Sequence, residues 1–203
     1  MIKVLDCTLR DGGYINNWTF GEKNIKYIIN SLCCAGIDII ECGYLTNKSS
    51  YDKDKSLFNS LNQIASFIPD DRKNIKYVCM INYGEYEIDD IPQYEGSSVD
   101  GIRVIFHKHD LDEALEYCMR LSEKGYMLFI QPMVTIEYSD AEILRIVDAV
   151  NNIKPFAYYI VDSFGVMKKE DLLRIYYLVN NNLNRDIHIG YHSHNNLQLA
   201  FSN

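Results

Sequence analysis

Short, almost wholly apolar runs recur along this chain, at Ile2–Asp6, Ile37–Gly43, Ile75–Asn82, Gly101–His107, Tyr126–Val134, Phe156–Asp162 and Ile187–His192. Their β-branched and aromatic residues predict strands. Between most of them, apolar residues return at the spacing of one helix face. Ile25, Ile28, Ile29, Leu32 and Cys33 form one such stripe, with Gly36 placed to end the helix. Leu111, Ala114, Leu115 and Cys118 form a second, opened by Asp110 with Glu113 three residues on and closed near Gly125. Ser139 and Glu142 make a capping-box signature ahead of Ile143, Ile146, Val147 and Val150. Leu172, Ile175, Tyr176 and Val179 supply one more stripe, while Asn82–Val99 has weak periodicity and is expected to be partly irregular.

Uniformly apolar strands alternating with amphipathic helices predict an α/β fold with a parallel sheet covered by helices. The polar residues choose between a closed barrel and an open sheet. Glu41, Asn82, His107, Asp162 with Ser163, and His192 with His194 stand at the ends of apolar runs, and Gln131 lies toward the end of another. A (β/α)₈ barrel gathers strand ends on one face. An open sheet would bind at a switch point, often beside a glycine-rich phosphate loop, and no such motif is present. The expected fold is therefore a TIM-type barrel, with residues 1–203 as a single catalytic domain. Seven strands are counted, and "LQLAFSN" reads as the start of a seventh helix. A complete barrel takes about 250 residues, so about seven of eight β/α units are expected here, with a missing C-terminal segment or a homo-oligomer covering the open edges.

Composition narrows the partners. A net charge of −8 argues against a nucleic-acid surface. No run of about 18 apolar residues and no charged leader is found, so neither a membrane span nor a signal segment is expected. Six cysteines stand inside apolar runs without a C-x-x-C pair, which suits a reducing cytoplasm.

Two places carry candidate chemistry. His192 and His194 fall at i and i+2, so on a strand both imidazoles face the same way. They read as metal ligands or as a hydrogen-bonded polar pair closing a strand. Arg10 and Asp11 precede Gly12-Gly13 and read as site residues or as a surface turn. One carboxylate with two imidazoles forms a partial sphere for Mn²⁺, Mg²⁺, Co²⁺ or Zn²⁺.

Taken in order, "LDCTLRDGG", "IIECGYL", "IVDSFG" and "GYHSHNNLQLA" resemble the DRE-TIM metallolyases. That family includes 4-hydroxy-2-oxovalerate aldolase, to which the chain is most similar, hydroxymethylglutaryl-CoA lyase, and isopropylmalate and homocitrate synthases. The resemblance implies a divalent ion, Mn²⁺ first, on Asp11, His192 and His194, and an enolate oxygen steadied by Arg10. It also implies a site carboxylate at Glu41 and contact of Asp162 and Ser163 with a substrate carboxylate, Asn195 or Asn196 being placed to orient a histidine. The implied reaction is cleavage of a 4-hydroxy-2-oxo acid to pyruvate and an aldehyde through a metal-stabilised enolate. An acyl-CoA condensation with a 2-oxo acid and a non-catalytic metal- or metabolite-binding domain are the alternatives.

One position departs from the aldolases, which carry a histidine three residues after the metal aspartate. Here it is Tyr14, and a phenol titrating at about 10 is a poor base at neutral pH. His107 and His109 are alternative bases or a solvated loop pair. Trp18 and Phe20 are expected to cover the first loop or to form part of a lid. Tyr176 and other helix tyrosines are read as packing, and Asp52–Asp54 as a solvated turn.

Overall fold

All seven apolar runs form strands in the computed structural model, which describes residues 2–203. In chain order the elements are β1 (Leu5–Asp6), α1 (Thr8–Asp11), α2 (Glu22–Ala35), β2 (Ile39–Leu45), β3 (Leu57–Phe58), α3 (Leu61–Ala65), β4 (Lys76–Asn82), β5 (Gly101–Phe106), α4 (Leu111–Ser122), β6 (Met127–Pro132), α5 (Asp140–Ile153), β7 (Ala157–Asp162), α6 (Lys169–Asn182) and β8 (His188–Ser193). The chain forms two compact units. One holds residues up to Arg103 with Lys124–Tyr126, and the other holds Val104–Glu123 with Met127–Asn203.

In the first unit β1 pairs with β2 and β2 with β4, all parallel, and β3 adds a short parallel pairing to β2. Every residue of β2 is buried, as a strand covered on both faces requires. Helix α2 buries Ile25, Ile29 and Cys33 and ends at Gly36, whose left-handed backbone lets its N–H close onto Cys33 and that of Ile37 onto Leu32. In the second unit β6 pairs with β7 and β7 with β8, again parallel, the latter pair in register from Ala157↔His188 to Asp162↔Ser193. Helix α5 buries Ile143, Ile146, Val147 and Val150 over that sheet, and α6 buries Leu172, Ile175 and Val179. Each such side chain contributes roughly 1.5–3 kcal/mol.

The expected capping box at Ser139 and Glu142 forms. Asp110 instead makes no side-chain cap on α4, because its carboxylate turns to His109 Nε2 at 3.3 Å. Helix α3 carries a second capping box, Ser60 with Gln63, in a five-residue helix too short for its apolar spacing to stand out. "LQLAFSN" forms turns rather than a helix: Gln198 adopts a left-handed backbone, which a continuing helix cannot hold, and Asn195 Oδ1 takes the Ala200 N–H. Tyr176 is 38% exposed, so it skirts the apolar face of α6 rather than filling it. No helix among the described residues is long and apolar enough to cross a membrane.

Candidate active site

The motif "CTLRDGGY" leaves β1 as a one-turn helix, not as a bare turn, and runs on into a 3-10 turn over Gly12–Ile15. Asp6 starts it: its carboxylate accepts the Thr8 N–H at 2.9 Å. This places Arg10 inside, 5% exposed, and a buried guanidinium needs anionic partners. Arg10 Nε donates to Glu41 Oε2 at 2.9 Å and Nη1 donates to Asp11 Oδ1 at 2.6 Å. The other oxygen of Glu41 lies 2.7 Å from Nη1 of Arg103 on β5, both side chains being wholly buried. That last contact is an ion pair whose geometry falls outside that of a hydrogen bond. Burial alone would lower the Arg10 pKa, but Glu41 and Asp11 outweigh it and hold the guanidinium charged. Beside it burial, with Glu41 in support, pushes the Cys7 thiol up to about 12.

Glu41 and Tyr44 both serve Arg10, the first through its carboxylate and the second through its ring, 6.0 Å from the guanidinium carbon. On a regular strand, residues three apart face opposite ways. The pairing of β2 with β4 shifts register between Glu41 and Tyr44, and the irregularity turns Tyr44 to the side of Glu41. The Tyr44 hydroxyl shares a 3.0 Å hydrogen bond with that of Tyr14. Burial raises the Tyr44 pKa and the bond to Tyr14 adds to the rise, against the pull of Arg10. Trp18 lies edge-on to both tyrosine rings and donates its indole N–H to the Arg10 carbonyl at 2.7 Å. Trp18 thus covers the first loop. The Asp52–Asp54 turn is solvated as expected and also anchors α2, Asp54 Oδ1 accepting the Glu22 N–H.

In the second unit, the β7–β8 register sets His192 beside Val161 and Ser193 beside Asp162. His192 and His194 are both half-buried, with ring centroids 4.9 Å apart. The Asp162 carbonyl accepts the backbone N–H of His194 at 3.3 Å and lies 2.9 Å from its Nδ1. A carbonyl can only accept, so Nδ1 carries the proton and Nε2 is the ring's acceptor nitrogen. The Asp162 carboxylate accepts the N–H groups of Val166 and Met167, which folds the following loop back. Gly165 in that loop has φ +62°, and a Cβ there would stand 2.6 Å from the Asn196 nitrogen and 2.8 Å from the His194 carbonyl carbon. Only glycine lets this loop lie against the histidine strand. Ser163 Oγ accepts the N–H of Val134, a β-branched residue held at φ 53°.

The predicted site residues thus fall as Arg10, Asp11, Tyr14 and Glu41 in the first unit and Asp162, Ser163, His192 and His194 in the second. Asn195 bonds to Ala200 in its own loop and Asn196 to the Phe164 carbonyl in the loop after β7, and the Asp162 carbonyl takes the orienting position at His194 instead. His107 and His109 stack on each other in an exposed loop, the His109 side chain 76% exposed. Sequence reasoning passed over Arg103 and Tyr44. The arginine left a signal: a charge inside the wholly apolar run "GIRVIF" must find a buried partner. Tyr44 left none, since the spacing from Glu41 points it the wrong way until the register shift is known.

Along residues 1–203 the chain matches the HMGL-like family. It is 26% identical over 204 residues to the 4-hydroxy-2-oxovalerate aldolase of Geobacillus genomosp. 3, covering 100% of this chain and 60% of that protein. It is 23% identical over 207 residues to the oxaloacetate decarboxylase of Mycobacterium tuberculosis, covering 98% and 59%. The N-terminal domain of a Bacteroides vulgatus protein described as an aldolase superposes with a TM-score of 0.79 at 26% identity, over 100% of this chain and 67% of that one. The HMG-CoA lyase of Bacillus subtilis superposes with 0.72 at 14% identity, over 100% and 71%, a likeness of fold alone. The fold is the barrel type predicted from the strand pattern, and the chain spans about 60% of the length of the aldolases it matches. With that one family matched along residues 1–203, this chain belongs to the HMGL-like family.

Proposed function

We propose that this chain is a divalent-metal-dependent carbon–carbon lyase acting on a small 2-oxo acid, and that it cleaves a 4-hydroxy-2-oxo acid to pyruvate and an aldehyde. The observation that carries this reading is the buried Arg10, held between Glu41 and Asp11. A charge that neither titrates nor swings is what an enolate oxygen calls for.

Asp11, His192 and His194 are the proposed ligands. Their chemistry fits a divalent ion of intermediate softness: one carboxylate oxygen and two imidazoles, with the acceptor nitrogen of His194 fixed as Nε2 by the Asp162 carbonyl. When bound, the ion supplies a Lewis acid for the keto and carboxylate oxygens of the substrate. Arg10 forks onto oxygens in the plane of the enolate, Glu41 keeps that fork in place, and Tyr44 and Trp18 exclude water from its flank. Ser163 and Asp162 shape the loops that would face the substrate carboxylate. All six cysteines are free thiols, in keeping with a reducing cytoplasm.

A second reading has an observation of its own. Within the first unit, the groups around Arg10 are two carboxylates in ion pairs, a thiol raised by burial and two phenols. None of these is a free base placed for a substrate hydroxyl at neutral pH. Loss of CO₂ from a 2-oxo diacid ends in protonation of an enolate and needs no base at a substrate hydroxyl, and the Mycobacterium tuberculosis relative is named for that reaction. Metal analysis of the purified chain, followed by parallel assays of pyruvate, CO₂ and CoA-thiol release with Mn²⁺ controls, separates aldolase, decarboxylase and condensing chemistry. Metal retained with no turnover in any assay would favour a binding role and overturn the lyase reading.

A further inference from the structure

We propose that Arg103 is a positioning residue for the reaction, acting through Glu41 to fix the guanidinium of Arg10. The proposal rests on Arg10 being the group that holds the enolate oxygen. No motif singled out Arg103, and it lies 93 residues along the chain from Arg10.

The contacts run in series. Arg103 Nη1 meets Glu41 Oε1 at 2.7 Å, Glu41 Oε2 takes Arg10 Nε at 2.9 Å, and Arg10 Nη1 reaches Asp11 Oδ1 at 2.6 Å. Two of the four side chains are wholly buried and Arg10 is nearly so. An ion pair in such a place is poor value for stability alone, because apolar residues of similar volume would serve as well or better. What the second arginine does provide is division of one carboxylate between two cations. Without Arg103, the two carboxylates of Glu41 and Asp11 would face a single guanidinium, and the group would carry a net negative charge toward an incoming anion. With Arg103 sharing Glu41, the two cations balance the two carboxylates, and Arg10 stays anchored at Nε by Glu41 and at Nη1 by Asp11. The carboxylate is also pinned on both oxygens, so it cannot rotate away when a substrate arrives.

The contact of Arg103 with Glu41 is a charge contact rather than an aligned fork. A lysine should therefore serve at position 103, though not at position 10, where planarity matters. This difference sets the test. In the full chain, exchange of the Arg10 Nε–H with solvent is followed by ¹⁵N NMR, beside Mn²⁺ affinity by calorimetry and kcat and KM for metal-dependent exchange of pyruvate methyl protons in D₂O. Arg103→Met should speed Nε–H exchange at least tenfold and lower kcat about 10²-fold, with Mn²⁺ affinity within threefold of wild type. Arg103→Lys should restore both within threefold. Should Arg103→Met fail to fold, Arg103→Gln, which removes the charge but keeps a polar side chain beside Glu41, takes its place with the same expected losses. A purely structural Arg103 would lower Tm in Arg103→Met while folded molecules of either variant kept Nε–H exchange and kcat within threefold of wild type, and that result overturns the proposal. If wild-type protein exchanges no pyruvate protons, the lyase reading falls, while the Nε–H comparison still decides whether Arg103 fixes Arg10.

Discussion

The two units carry their site residues in opposite ways. Around Arg10 the side chains bond chiefly to one another: Arg103, Glu41, Arg10 and Asp11 form an alternating line of charges, closed in by Tyr44 and Trp18. Around His194 it is the backbone that does the holding, through the Asp162 carbonyl, while the Asp162 carboxylate and Gly165 shape the loop alongside. The first arrangement suits a fixed positive charge, which must be surrounded by counter-charges to be buried at all. The second suits neutral imidazoles that must present lone pairs, for which one carbonyl per ring is enough. A cluster of the first kind is set by several distant residues at once, whereas the second follows from the register of two neighbouring strands.

The largest effect is expected where that difference is sharpest. Arg10→Lys keeps the charge but loses the fork that bonds Glu41 and Asp11 together. Turnover of a 2-oxo acid should fall by about 10²–10³, or roughly 2.7–4 kcal/mol of transition-state stabilisation, with Mn²⁺ still bound. Steady-state kinetics with parallel calorimetry read this directly. A lysine variant at wild-type rate would mean that Arg10 is a structural ion-pair partner only.

The second unit should respond in the other observable. His194→Ala removes a proposed ligand whose Nε2 is fixed by the Asp162 carbonyl. Mn²⁺ affinity should drop by at least the roughly 10–100-fold that loss of an outer partner alone can cost. Because the bonds made by the Asp162 carboxylate do not involve the ring, Tm without metal should stay close to wild type. Unchanged affinity would remove His194 from the metal site.

These two regions were also legible in the sequence to different degrees. His192 and His194 announce themselves, since an H-x-H at a strand end carries its geometry in its spacing, and the seven apolar runs place that strand end correctly. Arg10, Asp11 and Glu41 could be picked out as polar residues beside apolar runs, but nothing in the spacing says that Glu41 is divided between two arginines. Tyr44 was hidden by the register shift in β2, and Arg103 by its place inside a strand that otherwise reads as core. The short β3 and α3 escaped because two and five residues are too few for periodicity to speak. Long-range pairing is what a single sequence conceals, and the first unit depends on it most.

A smaller effect tests whether the phenol pair belongs to the chemistry or only to the wall. Tyr14 is 61% exposed and reaches Tyr44 through one hydroxyl contact. If it shapes the pocket only, Tyr14→Phe should leave exchange of pyruvate methyl protons within a few-fold of wild type, the loss of one ordinary hydrogen bond being worth about 1 kcal/mol. Collapse of exchange with Mn²⁺ retained would move Tyr14 into the proton-transfer path and strengthen the decarboxylase reading.

The smallest effect lies on the surface, where the two units should behave alike. In the second, Lys108 donates to Glu142 at 2.8 Å, and with the Ser139 cap this holds the Glu142 carboxyl down at about 2. In the first, the hydrogen bond from Lys26 lowers Glu22 in the same direction. A carboxyl depressed by folding adds stability above its ordinary value of 4.5 and loses it as pH falls through the folded value, here about 2. Glu142→Gln should therefore lower Tm slightly at pH 6, and the gap to wild type should close between about pH 4.5 and 2. Both partners are partly exposed, so salt should shrink the gap at pH 6 as well. Thermal melts across that range, with Lys108→Met as the companion that removes the leading cause, read the sign. A gap that holds constant from pH 6 to pH 2 would show that Glu142 contributes through a charge-independent contact that glutamine does not reproduce, and the absence of any gap at pH 6 that it acts as a neutral cap, which glutamine replaces.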